Sequence, residues 1–104
     1  MFHAVSPERA RDLVTQGLVE VVDVRETAEW ETGHLPGARH VPLAELRQGA
    51  AAALVGNGVM FVCAAGVRSE TAARLAEASG IANVYSLSGG TRGWVRAGLP
   101  LVRD

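Results

Sequence analysis

The residues best placed to do chemistry lie in one run, Cys63-Ala64-Ala65-Gly66-Val67-Arg68-Ser69, which holds the only cysteine of the chain. It follows the apolar stretch Val59-Met60-Phe61-Val62 and precedes a segment with helical periodicity at Ala72, Leu75, Ala76 and Ser79. A cysteine on a turn between a buried strand and a helix N-terminus is set to ionise. Backbone N–H groups and the positive end of the helix dipole converge there. They stabilise a negative sulfur, draw the thiol pKa below its usual value of about 8.5, and favour an anion arriving beside it. The chemistry expected is nucleophilic attack by a thiolate. Gly66 fits a turn that needs an unusual backbone angle. Arg68 has two readings. It faces the pocket and attracts an anionic donor, or it folds under the loop and pairs with Asp23 or Glu29 as a brace.

The elements around this run follow from local signals. Ser6-Pro7-Glu8 starts a helix, with Ser as N-cap, Pro at the first position and an acid in the first turn. Gly17 stops it. Val19–Val24 is β-branched and nearly continuous, a buried strand that runs into Asp23-Val24-Arg25. Thr27–Thr32 forms a short helix, Arg39–Val41 an edge strand, and Leu43–Leu54 an Ala-rich helix that Gly49 weakens. Gly56-Asn57-Gly58 is a turn, Val59–Val62 the central strand, Ser69–Ser79 the helix behind the cysteine, and Val84-Tyr85 the last strand. Ser88-Gly89-Gly90 opens a short helix carrying Trp94. Strands alternating with helices predict a parallel sheet covered on both faces. Ligands of such sheets sit at the carboxyl ends of the strands, where Cys63 and Asp23-Val24-Arg25 fall.

Composition narrows the function classes. At 104 residues the chain has room for one core, and so for one domain spanning 1–104. A net charge of −1 argues against general nucleic-acid binding or a polybasic membrane surface. All ten cations are Arg. No apolar stretch approaches the roughly 20 residues needed to span a bilayer, and the N-terminus Met1-Phe2-His3-Ala4 does not read as a leader. One cysteine excludes an internal disulfide and a Cys-x-x-Cys motif. The expected location is the reducing cytoplasm, where a lone exposed thiol stays reactive.

Three blocks in order carry a resemblance. Asp23-Val24-Arg25-Glu26 with Glu29-Trp30 runs on to Gly33-His34-Leu35-Pro36-Gly37-Ala38 and Val41-Pro42-Leu43. Cys63-x-x-Gly66-x-Arg68-Ser69 is the second, and Leu87-Ser88-Gly89-Gly90 with Trp94 and Gly98-Leu99-Pro100 is the third. With these blocks the chain resembles the rhodanese family over nearly its whole length. The resemblance implies a three-layer α/β/α sandwich around a five-stranded parallel sheet of order 1-5-4-2-3, with a first strand near Phe2–Ala4. It implies sulfurtransfer through a persulfide, with Cys63 as nucleophile and Ala64, Ala65, Gly66, Val67 and Arg68, closed by Ser69, as the cradle. The implied partners are a small sulfur-containing anion such as thiosulfate, a cyanide or thiol acceptor, or a protein donor or acceptor in a sulfur relay. No cofactor is implied. A non-catalytic interaction module of the same fold would not need the intact cysteine loop. Phosphatases that share the fold have a longer loop, whereas here four residues, Ala64 to Val67, separate Cys63 from Arg68 and make a bowl suited to one sulfur atom. No acid lies in the loop to protonate an alkoxide leaving group.

The remaining polar residues have plainer readings. Asp23 is expected to brace the strand ends, and Arg25 with Glu29, four apart, to form a surface pair worth under about 1 kcal/mol. His34 is expected to hydrogen-bond backbone in the Gly33–Ala38 turn rather than act as a base. His3 and His40 lack ligand-spaced partners, so no metal site is expected. Trp30 and Trp94 are packing residues, and Gly89-Gly90-Thr91-Arg92-Gly93 is a strand-to-helix turn.

Overall fold

A computed structural model describes residues 1–49 and 58–103. Five strands, β1 (His3–Val5), β2 (Glu20–Asp23), β3 (Arg39–His40), β4 (Val59–Val62) and β5 (Val84–Leu87), form one sheet of order β1-β5-β4-β2-β3. Every pairing is parallel. The helices are α1 (Pro7–Thr15), α2 (Thr27–Trp30), α3 (Leu43–Arg47), α4 (Val67–Ala78) and α5 (Gly90–Arg96). This is the α/β architecture and strand order that the resemblance implied. The first strand lies at His3–Val5 rather than Phe2–Ala4.

Alternation along β4 creates the layers. Val59, Phe61 and Cys63 join Val22, Val24 and Val84 under Ala72, Ala73 and Ala76 of α4 and Leu46 of α3. Met60 and Val62 point to the other face, with Val21 and Leu87, against Ala10 and Leu13 of α1 and Trp94 of α5. Both faces are covered, which is why β4 reads as an unbroken apolar run. Alanines on α4 let the helix approach the strands closely and bring its first turn to the end of β4.

Several boundaries differ from those expected. The Ser6 side chain caps α1 by accepting from the Arg9 amide at 3.1 Å, as its sequence foretells. Helix α3 ends at Arg47, and Gly49, in a left-handed conformation, follows its C-cap Gln48. The expected continuation to Leu54 and most of the Gly56-Asn57-Gly58 turn lie outside the described residues. Helix α4 starts at Val67, two residues early, because left-handed Gly66 serves as its cap. Among the described residues no helix is long and apolar enough to cross a membrane.

Candidate active site

Strand β4 delivers Cys63 to the carboxyl edge of the sheet, and the chain then turns back on itself through Gly66 at φ +104°. The turn aims amides at the sulfur. Gly66 donates its N–H to Sγ at 3.0 Å, and Ser69, in the first turn of α4, donates at 3.4 Å. The Ser69 hydroxyl lies 3.5 Å from Sγ, also contacts the Gly66 carbonyl at 3.1 Å, and meets the Ser86 hydroxyl of β5 at 2.8 Å.

Cys63 is only 1% exposed, so it is not the exposed thiol expected from sequence. The reason is alternation: Sγ follows Val59 and Phe61 to the α4 face, and the turn closes over it. Two effects then oppose each other. Burial disfavours the thiolate and is the largest single influence, but the Ser69 hydroxyl and the amides of Ser69, Gly66 and Ala65 together outweigh it. The thiol pKa is lowered from its ordinary value. Of the loop residues named from sequence, Ala65, Gly66 and Ser69 act on Sγ directly. Val67 and Arg68, the first residues of α4, have amides without intrahelical acceptors. The Val67 side chain is 74% exposed on the outside of the loop.

Arg68 is held in a fork by Glu29 of α2, Nη1 to Oε1 at 2.7 Å and Nη2 to Oε2 at 2.9 Å. Of the two readings of Arg68, this is the pairing geometry, with Glu29 and not Asp23 as partner. The arginine holds the Glu29 carboxyl at about 2, against a partial opposing push from burial. Both side chains are about a third exposed, so solvent screens the pair and its worth is under about 1 kcal/mol. A carboxylate depressed on folding stabilises above its unfolded value and loses that contribution as pH falls through its folded value. Here the loss spans from about 4.5 down to about 2. Glu29→Gln should therefore be slightly less stable than the parent at pH 7 and indistinguishable from it near pH 2. Urea titrations at the two pH values check this, and an equal difference at both would contradict it.

The expected Arg25–Glu29 surface pair is not what forms. Helix α2 begins only at Thr27, capped by Glu26, so Arg25 still belongs to the strand end and the spacing of four is not helical. Arg25 instead turns back two residues to Asp23, on the same face of the strand. Nε donates to Oδ1 at 3.0 Å and Nη2 to Oδ2 at 2.8 Å, and the Asp23 carboxylate also takes the Arg25 amide at 3.0 Å. Nη2 further donates to the Gly33 carbonyl at 2.8 Å. Asp23 is 1% and Arg25 4% exposed. This buried pair ties the end of β2 to Gly33, just past α2, the helix whose Glu29 reaches Arg68.

A second support was missed in sequence. Trp30 stacks on His34, with ring centroids 3.7 Å apart and planes within 3°, and on His40 at 4.9 Å. His34 Nδ1 donates to the Leu35 carbonyl at 3.0 Å, the backbone role expected for it, and His40 Nε2 donates to the Arg25 carbonyl at 2.7 Å. Trp94 is buried and donates from Nε1 to the Pro100 carbonyl. Ser86 was missed too. Its signal was a polar residue on the inward face of an apolar strand. Among the described residues, no three His, Cys, Asp or Glu cluster as a metal site would require.

The sequence profile of the Rhodanese-like domain matches residues 6–97, and the chain belongs to that family. It is 36% identical over 93 residues to "Thiosulfate sulfurtransferase GlpE" of Pseudomonas aeruginosa, covering 89% of this chain and 84% of the relative. It is also 36% identical over 76 residues to YrkF of Bacillus subtilis, a candidate sulfur carrier by name, covering 73% of this chain and 41% of that one. A rhodanese-related protein of Thermoplasma volcanium has the same fold, with a TM-score of 0.87 at 24% identity over 99% of this chain and all of that one.

Proposed function

We propose that the protein is a sulfurtransferase that moves sulfane sulfur through a persulfide on Cys63. The observation that carries this reading is the convergence of the Gly66 and Ser69 amides on Sγ, which favours the thiolate despite burial. In the first half-reaction the thiolate attacks the sulfane sulfur of thiosulfate. A bond forms between Sγ and that sulfur, the bond to the sulfonate sulfur breaks, and sulfite leaves with its electron pair. In the second, cyanide or a thiolate attacks the terminal sulfur, the Sγ–S bond breaks, and the pair returns to Sγ. The donor and acceptor steps share one covalent intermediate and need no outside oxidant.

Within this reading the loop residues have separate roles. Amides of Ala64, Val67 and Arg68 that do not hold Sγ receive the charge of the terminal sulfur. Ala64 and Ala65 leave room for the donor. Arg68, Glu29, Asp23 and Arg25 hold the loop rather than bind substrate. A reducing compartment such as the cytoplasm keeps the lone thiol free.

One observation favours a second reading, a sulfur carrier charged by a protein donor. Arg68 is already matched by Glu29, so its charge is poorly available to attract a small dianion. A thiosulfate–cyanide assay run beside intact mass spectrometry tests both. A gain of about 32 Da, removed by cyanide, is the mark of the persulfide. Fast turnover selects the enzyme, persulfide with slow turnover selects the carrier, and an inert thiol under both conditions would refute the proposal. The pH profile adds a check. Thiolate reacts and thiol does not, so iodoacetamide alkylation of Cys63 should rise with pH and level off below the range of a free thiol. A profile like that of a free thiol would contradict the amide cradle.

A further inference from the structure

The turn Gly89-Gly90-Thr91-Arg92 lies outside the cysteine loop, yet it touches that loop through its backbone. The Thr91 amide donates to the Cys63 carbonyl at 2.8 Å, and the Arg92 amide donates to the Ala64 carbonyl at 3.2 Å. Gly90, at φ +60°, lies so close that a Cβ there would strike the Cys63 carbonyl oxygen and come within 2.5 Å of both the carbonyl carbon and oxygen of Ala64. A Cβ on Gly66 would in turn sit 3.2 Å from the Gly89 nitrogen. Two backbone segments are therefore pressed together, with glycines on both sides of the contact.

Peptide planarity gives this contact a consequence. In a trans peptide the carbonyl of one residue and the N–H of the next point in opposite directions. Fixing the Cys63 and Ala64 carbonyls toward α5 turns the Ala64 and Ala65 N–H groups away from α5 and into the loop. The Ala65 amide is among those that hold the thiol pKa down. We infer that Gly90, with the Thr91 and Arg92 amides, is a positioning element: it moulds the cysteine loop from behind so that its N–H groups face the sulfur. The inference rests on the proposed role of Cys63, but its readout does not require sulfur transfer.

The test compares Gly90→Ala with Gly98→Ala. Gly98 lies just beyond the other end of α5 at φ +84°, and a Cβ there meets nothing within 4 Å. Both substitutions strain a left-handed backbone, but only one pushes on the cysteine loop. Thiolate absorbance and iodoacetamide alkylation are followed against pH, with circular dichroism to confirm folding. Gly90→Ala should shift the thiol titration upward and cut alkylation about tenfold at pH values below the parent titration, while Gly98→Ala keeps the parent profile. Should Gly90→Ala not fold, Arg92→Pro removes one of the two N–H groups at an exposed position in the first helical turn, with no Cβ added at Gly90. It should shift the titration in the same direction by less. A folded Gly90→Ala, or in its place Arg92→Pro, with the parent titration overturns the inference. A parent that itself titrates as a free thiol would instead overturn the proposed role of Cys63.

Discussion

Cys63→Ser should lose sulfur transfer by at least about a thousandfold and acquire no extra mass from any sulfane donor. A serine hydroxyl stays protonated near neutral pH, whatever amides surround it, so the nucleophile disappears. The fold should survive. The serine oxygen is smaller than sulfur but can accept from the Gly66 and Ser69 amides that now serve Sγ. The change in stability should stay within about 1 kcal/mol. The pairing of lost activity with an intact thermal transition is the informative result. Sulfur loading of Cys63→Ser at the parent's rate would remove Cys63 from the chemistry altogether.

The second large effect is structural. Asp23→Ala should cost about 3–5 kcal/mol, because it strands the buried Arg25 guanidinium with the Gly33 carbonyl as its remaining partner among the described residues. The same change frees the Arg25 amide from its carboxylate. Replacing both partners, as in Asp23→Leu with Arg25→Met, should recover much of the loss, since the uncompensated charge is gone. Denaturant midpoints of the single and double variants measure this. An Asp23→Ala protein as stable as the parent would show that the pair does not brace the end of β2. The arrangement also links the brace to the site, because the segment from Arg25 to Gly33 carries Glu29, the partner of Arg68.

The parts legible in the sequence are those set by local rules. Ser6-Pro7 specifies a helix start with no knowledge of the rest of the chain, and four consecutive buried residues in β4 announce a strand covered on both faces. The cysteine, left-handed Gly66 and the helix beginning at Val67 are adjacent in sequence, so the amide contacts at Sγ could be anticipated. What escaped depends on distant contacts. Strand β1 has three residues, two of them exposed, and is defined by its pairing to β5 some eighty residues later, so only the family resemblance placed it. The stacking of His34 and His40 on Trp30 forms because the chain returns past α2 to β3. Arg25 escapes the expected pairing with Glu29 because α2 starts two residues after it, at Thr27, so the spacing of four is not helical. The backing of the cysteine loop by Gly90 joins residues on neighbouring strands' ends, which spacing alone cannot report.

A persulfide on Cys63 is tested most directly by a crystal structure of the protein soaked in thiosulfate. One additional sulfur is expected, bonded to Sγ at about 2 Å, pointing into the loop and ringed by the amides of residues 64 to 69 of the turn and first helical turn. An unmodified Sγ after soaking, or an added sulfur directed away from those amides, would contradict it.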